Sequence, residues 1–327
     1  YYPMKDEETL DLNLELFQAE LRMFDNYTKE VLDNFNGIAD ADVLLTGTLK
    51  EPNLNGNVTL KGAEFTVKYL NTHYKTDWCN ISIAPDMFSF DNVVFVDEED
   101  NRATANGTVY HEWFKDWSVD VGLDVNNFLA LNTTEENNNL YYGKAFVTGL
   151  VDISIYDDQL GMDVAVKTER NTTLNIPLAD GEELEENNFI EFISHDSTNI
   201  VVDEKVDLSN IDMNFDLEIT PDAEVRLIFD DQIGDVMRSR GSANLNLKIT
   251  KDGDLNMFGN YVVKDGDYLF TLQNVINKRF DLEEGGTISW NGSPYDAEID
   301  LTAVYRTRAR LYDLLANIDT SDIYKKR

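Results

Sequence analysis

Basic residues, cysteine, histidine and long apolar runs are all scarce in this chain, and each scarcity excludes something. Only 27 Lys and Arg stand against 62 Asp and Glu over 327 residues, a net charge of −35. A surface this acidic is repelled by phosphate backbones and by anionic membrane surfaces, which excludes nucleic-acid binding through a basic groove and docking through a polybasic patch. One cysteine, Cys79, rules out an intrachain disulfide, so its expected place is a small buried hydrophobe. The three histidines, His73, His111 and His195, lie far apart without ligand spacing, and each is expected at the surface or a strand edge. No apolar run approaches the ~18 residues that span a bilayer. The opening Tyr1-Tyr2-Pro3-Met4-Lys5 is neither a start methionine nor a signal peptide. The expectation is a fragment of a longer chain, with any membrane anchor outside it.

What is present is a large apolar fraction, 42% hydrophobic and 11% aromatic, enough to exclude a disordered polyanion. It is arranged with period two. In Ile211-Asp212-Met213-Asn214-Phe215-Asp216-Leu217-Glu218-Ile219 every odd position is apolar and every even one polar, the signature of a strand with one dry and one charged face. The same alternation runs through Leu10 to Leu16, Ala63 to Tyr69, Val119 to Val125, Val151 to Ile155, Met162 to Val166, Ala243 to Ile249 and Ile299 to Ala303. Asn36-Gly37, Asn55-Gly56, Asn106-Gly107, Asp252-Gly253, Asp265-Gly266 and Asn291-Gly292 read as hairpin turns between strands. The fold class is therefore all-β. Helix is expected in one short amphipathic segment near the N-terminus, roughly 14–35, where Leu14, Phe17, Leu21, Phe24, Val31 and Phe35 recur at helical spacing before the Asn36-Gly37 stop. A second short helix is expected over 309–317, followed by a frayed tail.

These signals divide the chain into a strand plus helix over 1–36, a β segment over 37–178, an acidic loop or excursion over 179–210, a second β segment over 211–308, and a short helix and tail over 309–327. Residues 132–139 read as another exposed loop. The search for chemistry is empty. Asp97-Glu98-Glu99-Asp100, Asp230-Asp231 and Asp252-Gly253-Asp254 are rich in oxygen but lack the ligand spacing of a calcium loop. Carboxylate pairs are too abundant here to single out an acid–base couple. The expectation is no catalytic residue, no metal and no cofactor. The apolar strand faces need a cover. Either a second sheet closes a sandwich, which is the plainer solution, or one long sheet folds into a trough that accepts acyl chains; alternation fits both.

Residues 259–305 carry a more specific pattern: Gly259-Asn260-Tyr261, Gly266-Asp267-Tyr268-Leu269-Phe270, Gly285-Gly286-Thr287-Ile288-Ser289-Trp290-Asn291-Gly292-Ser293-Pro294-Tyr295-Asp296-Ala297 and Ile299-Asp300-Leu301-Thr302-Ala303. This resembles the C-terminal region of the TamB family of the translocation and assembly module, within the AsmA-like superfamily. Gly47-Thr48-Leu49-Lys50-Glu51-Pro52-Asn53-Leu54-Asn55-Gly56 resembles that family's repeated unit. The resemblance implies an elongated curled sheet, or β-taco, with an open hydrophobic groove. It implies a non-enzymatic periplasmic bridge, anchored in the inner membrane of a diderm bacterium, that moves phospholipid between inner and outer membranes. Alternatively it implies a chaperone for outer-membrane protein insertion or secretion that pairs β-strands, with a TamA-like outer-membrane barrel as partner. The groove lining it would use is Ile211, Met213, Phe215, Leu217, Ile219, Leu245, Leu247, Ile249, Tyr268, Phe270, Ile288, Trp290, Ile299 and Leu301. The Trp290 indole N–H is expected to find a partner at the rim, and Gly266 and Gly292 to sit at turns needing positive φ.

Overall fold

Alternation on this scale leaves every strand with one face that must turn from water, and the chain answers with a single sheet. The computed structural model describes residues 10–29, 31–137, 141–157, 159–177, 211–230, 234–251, 254–272, 276–294 and 296–308. An antiparallel meander runs through β1 (Leu10–Glu20), β2 (Leu32–Gly47), β3 (Pro52–Val67), β4 (Thr72–Ala84), β5 (Met87–Val96), β6 (Arg102–Glu112), β7 (Lys115–Thr133) and β8 (Tyr142–Tyr156). From there the strands come in broken pairs. β9 (Gln159–Thr168) and β10 (Thr173–Pro177) pair with different ends of β8. β11 (Ile211–Ile219) and β12 (Glu224–Asp230) lie parallel to β9 and β10 and antiparallel to β13 (Asp235–Ile249). β14 (Leu255–Leu272) follows β13 and carries β15 (Ile276–Leu282) on one half and β16 (Thr287–Gly292) on the other. β17 (Glu298–Asp300) and β18 (Ala303–Val304) end the two lanes. The segments 37–178 and 211–308 thus belong to one sheet. Among the described residues all eighteen strands belong to one sheet. The excursion at 179–210, His195, Asp252-Gly253 and the helix at 309–317 lie outside the described residues.

The N-terminal helix expectation fails. Leu14 to Glu20 continue β1, Leu21–Phe24 form a 3-10 turn, and Asp25–Thr28 add a single α-helical turn before β2 begins. Backbone pairing of Leu10 to Glu20 with Ile38 to Gly47 outweighs the helical spacing, and Leu21 is buried against Ala39 and Ala63. Residues 132–133 are likewise the end of β7, with a turn only from Thr134.

The breaks in register line up. The gap between β9 and β10 lies beside the gap between β11 and β12, which lies beside bulges at Arg240/Gly241 and near Val263–Asp265, then the gap between β15 and β16. Side chains and displaced carbonyls satisfy the backbone along this seam. Thr220 N–H donates to Thr168 Oγ1 (2.9 Å), Phe146 N–H to Thr172 Oγ1 (3.0 Å), and Glu224 N–H to the Thr172 carbonyl (2.9 Å). The Val263 N–H reaches the Gly286 carbonyl at 2.8 Å. The strand gaps and the β13–β14 bulge fall at the same level, so the sheet creases along the seam. Met237 and Leu282 on one side pack in one cluster with Ala243, Leu245, Tyr261 and Ile288 on the other.

Curling is explicit at the β4–β7 end as well. Tyr74 stacks on Phe128 at 4.8 Å across the β5–β6 hairpin and donates its hydroxyl to the Leu129 carbonyl (2.8 Å). The β3–β4 turn closes on β7 through Asn132 N–H to the Leu70 carbonyl (2.9 Å) and Asn71 Nδ2 to the Asn132 carbonyl (2.7 Å). Asp97 clamps this corner, as its Oδ2 accepts from the Leu129 N–H (2.8 Å) and its Oδ1 from the Glu99 (2.8 Å) and Asn101 (2.9 Å) amides. The face bearing Tyr74 and Phe128 is therefore the inner one.

Most Asx-Gly pairs prove to be mid-strand kinks rather than hairpin turns. Asn36-Gly37, Asn55-Gly56, Asn106-Gly107 and Asp265-Gly266 all lie within strands, and Asn291-Gly292 closes β16. Gly292 has positive φ (132°), as expected, whereas Gly266 does not. Gly266 is required by close approach instead, since a Cβ there would stand 2.4 Å from the Arg238 carbonyl. At Gly149 both constraints meet: φ is 151°, and a Cβ would lie 2.1 Å from the Ala165 carbonyl.

Candidate functional site

Register turns the alternating strands into continuous rows on the inner face. One row reads Phe95, Ala103, Val125, Gly149, Val166, Leu217, Leu245, Gly259, Trp290, crossing nine strands from β5 to β16. The next reads Val93, Ala105, Leu123, Val151, Val164, Phe215, Leu247, Met257, Gly292. Two further rows pass through Phe90, Val121, Met162, Met213, Ile249 and through Phe88, Val109, Val119, Leu160, Ile211. At ~4.8 Å between strands the nine-strand rows are about 38 Å long, and four rows two residues apart cover about 20 Å of strand. No charged side chain interrupts these rows. Phe215, Leu217, Leu247, Ile249 and Met257 are half-buried.

The outer face holds the charge. Asp212, Asp216 and Glu218 are exposed, and Asn246 Nδ2 bridges Asp216 Oδ1 (2.7 Å) and Asn214 Oδ1 (2.9 Å). Asp152 and Asp163 stand directly opposite each other, a repulsive pairing tolerated only where water screens it. Outward residues, among them Lys167, Asp216, Glu218, Asn244, Asn246 and Phe258, line a hollow of about 600 Å³ together with Val166, Leu217 and Leu245. Among the described residues no group of three His, Cys, Asp or Glu is placed to hold a metal ion.

Of the residues the sequence nominates, Ile211, Met213, Phe215, Leu217, Ile219, Leu245, Leu247, Ile249, Ile288 and Trp290 share the inner face of one lane. Ile299 pairs with Ile288 in that lane but is 59% exposed on the last strand. Tyr268 and Phe270 lie across the seam, where Tyr268 makes an edge contact with Phe229 (5.7 Å) and a tilted one with Phe280 (6.3 Å). Burial, with a hydrogen bond to Asp235 and that carboxylate's charge behind it, pushes the Tyr268 hydroxyl up to about 12. Leu301 packs on the cluster joining the two lanes. The Trp290 indole N–H donates to the Pro294 carbonyl at 3.1 Å.

Sequence reasoning missed the inner residues of β5 to β9 as part of this surface, although period two marks Val121, Val151 and Val164 as plainly as Phe215. It also misplaced His111, which is 4% exposed inside a cage of Phe88, Phe114 and Trp117 rings at 4.6 to 6.3 Å from one another. Its Nδ1 accepts from the Phe114 N–H (3.2 Å), and burial holds its pKa below the usual imidazole range against the pull of Asp86. His73 is half-exposed beside Thr66, and Cys79 is buried with its thiol pKa raised by desolvation.

A long curled sheet, nearly all β, is what the resemblance implied of the fold, and a family model decides the family. The TamB C-terminal domain matches residues 91–327, more than two thirds of the chain. The chain belongs to the TamB family. Its role is of the TamB type, in the cell envelope. The match begins within β5, takes in the rest of the four-row floor and extends past both lane ends, while β1 to β4 lie upstream of it on the same sheet. Comparison with curated proteins and with solved structures finds no match. Within the described residues of this TamB domain no helix is long and apolar enough to cross a membrane.

Proposed function

We propose that this TamB-family chain is a non-catalytic section of a periplasmic bridge, held by the inner membrane, that carries phospholipid acyl chains along its inner face toward the outer membrane. The observation that supports this reading is the continuity of the apolar rows. An acyl chain occupies about 15 Å, half of the ~30 Å hydrocarbon core of a bilayer. A floor about 38 Å long therefore offers a chain several overlapping positions with no polar step between them. Half-burial of Phe215, Leu217 and Leu247 leaves apolar surface for the lipid to cover, while headgroups stay in water at the rim. The outer acidic face keeps the sheet soluble and discourages face-to-face association.

The test is site-specific photo-crosslinking in the intact envelope protein. A photoreactive residue at Phe215 is expected to yield phospholipid adducts, and one at neighbouring Asp216 is expected to yield none. Equal labelling at the two positions would sink the reading.

A further inference from the structure

The β6–β7 hairpin closes in a way its sequence does not favour. Glu112 pairs with Lys115, so the loop is only Trp113 and Phe114, with φ of 48° and 64°. A two-residue hairpin loop with both φ positive is a type I′ turn, whose usual occupants are Asn and Gly; bulky aromatics there are backbone outliers. Asp116 follows at φ 47°, beside the register break between Tyr110 and Glu112. Packing beneath holds the turn in place. His111 stacks on Phe114 at 4.6 Å and accepts its N–H at 3.2 Å, and Phe88 lies nearly parallel to Trp117 at 6.3 Å. Strain that the surroundings over-determine points to a use for the side chains it displays.

Those side chains are aromatic rings with polar handles. Trp113 at the apex is 42% exposed, Trp117 on the inner side 45% and Tyr110 on the outer side 42%, while the purely apolar Phe88 and Phe114 are half-buried. Elsewhere the indole N–H groups are used within the protein, Trp78 donating to Asn80 Oδ1 (2.9 Å) and Trp290 to the Pro294 carbonyl (3.1 Å). Neither Trp113 nor Trp117 has such a partner among the described residues. Exposed indoles with free N–H groups, set around a convex tip, suit the glycerol–headgroup layer of a bilayer, where a ring meets hydrocarbon on one side and ester and phosphate oxygens on the other. The tip also stands where the inner face ends, since Val109 and Val119 of its outermost apolar row lie two residues from His111 and Trp117. The exposed charges around it, Asp86, Glu112 and Asp116 against Lys115, offer no attraction to anionic lipid, so the matching surface is zwitterionic.

We infer that the β6–β7 tip is an interfacial anchor, which seats Trp113, Trp117 and Tyr110 in the headgroup layer of a zwitterionic phospholipid membrane and holds the rim of the inner face against it. The inference is independent of what the inner face carries. The test floats the whole chain with phosphatidylcholine vesicles, with and without bromine on the acyl chains to quench tryptophan. The chain is expected to float and to lose part of its fluorescence on brominated lipid. Trp113→Asn puts a residue that tolerates positive φ at the apex, so the fold should melt no lower than wild type while vesicle partitioning falls about tenfold, the effect of withdrawing one large aromatic from the interface. Trp78→Phe, at a comparably exposed tryptophan (53%) on β4, should leave flotation unchanged. No flotation, or flotation unchanged in Trp113→Asn, would overturn the inference. So would quenching that survives Trp113→Asn and disappears in Trp290→Phe, because lipid would then have entered the inner face without the tip. Shielding from acrylamide that rises with protein concentration in lipid-free solution and is absent in Trp113→Asn would overturn it too, since the occupant would be a second copy.

Discussion

Asp97 offers a sharp test of how the sheet holds its curl. Its carboxylate is 1% exposed and spans three donors from two places: the Glu99 and Asn101 amides of the β5–β6 turn, and the Leu129 amide on β7. Asn101 Nδ2 adds a contact at 3.0 Å. Asp97→Ala removes all of these. The Leu129 N–H belongs to a residue with 0% exposure, so no water replaces its partner, and an unsatisfied buried donor costs about 1–3 kcal/mol. The turn amides lie nearer to solvent and lose about 0.5–1.5 kcal/mol each. The sum is about 2–6 kcal/mol, concentrated at the corner where β4 meets β7. Asp97→Asn keeps the shape but exchanges one acceptor for a donor facing a donor, and should fall between. The assay is urea unfolding read together with hydrogen exchange at Leu129, whose protection should drop by more than tenfold in the alanine variant. If Asp97→Ala shifts the unfolding free energy by less than about 1 kcal/mol and leaves Leu129 protected, the clamp described above does not hold the corner.

Other perturbations follow the same logic. Gly149→Ala must place a Cβ against the Ala165 carbonyl at positive φ; it should break the local β8–β9 pairing, cost more than about 1 kcal/mol, and show as lost amide protection around Val166. His111 is held neutral by burial, so its folded pKa lies below the unfolded value of 6.5. The stability it contributes is complete above pH 6.5 and is lost as pH falls through the folded pKa, because the unfolded chain binds the proton first. Thermal melts of wild type minus His111→Phe should therefore show a deficit that grows from pH 7 to pH 5, and a flat difference would refute the cage. Tyr261→Phe leaves buried Ser239 Oγ without its 3.0 Å partner, and should cost about 1–3 kcal/mol in urea titration with no change in strand content by circular dichroism.

The strands were legible because burial of one sheet face imposes period two directly on the sequence, and Ile211 to Ile219 shows it without exception. The short helix was misread because period two and period 3.6 share the fourth residue: Leu14 and its neighbours satisfy both, and only pairing with β2 decides. The Asx-Gly pairs misled for a related reason. Glycine serves a tight hairpin and a mid-strand kink equally well, and which one Gly266 makes depends on Arg238, a residue far away in sequence. The nominated lining followed the most regular strands and so stopped at β11, although Val121 and Val164 continue the same floor. The cage of His111 was only partly local, since Phe114 and Trp117 follow it closely but Phe88 comes from the neighbouring strand β5. The parallel pairing of β9 with β11 had no local signal at all.

The seam of aligned breaks also sets the mechanical character of the molecule. A flat one-layer sheet bends easily about any line parallel to its strands. Fold it lengthwise, and bending along that length must stretch one wing while compressing the other, which works against every ladder hydrogen bond on both sides. The crease converts a ribbon into an angle beam, stiff end to end and compliant only in the opening between its wings.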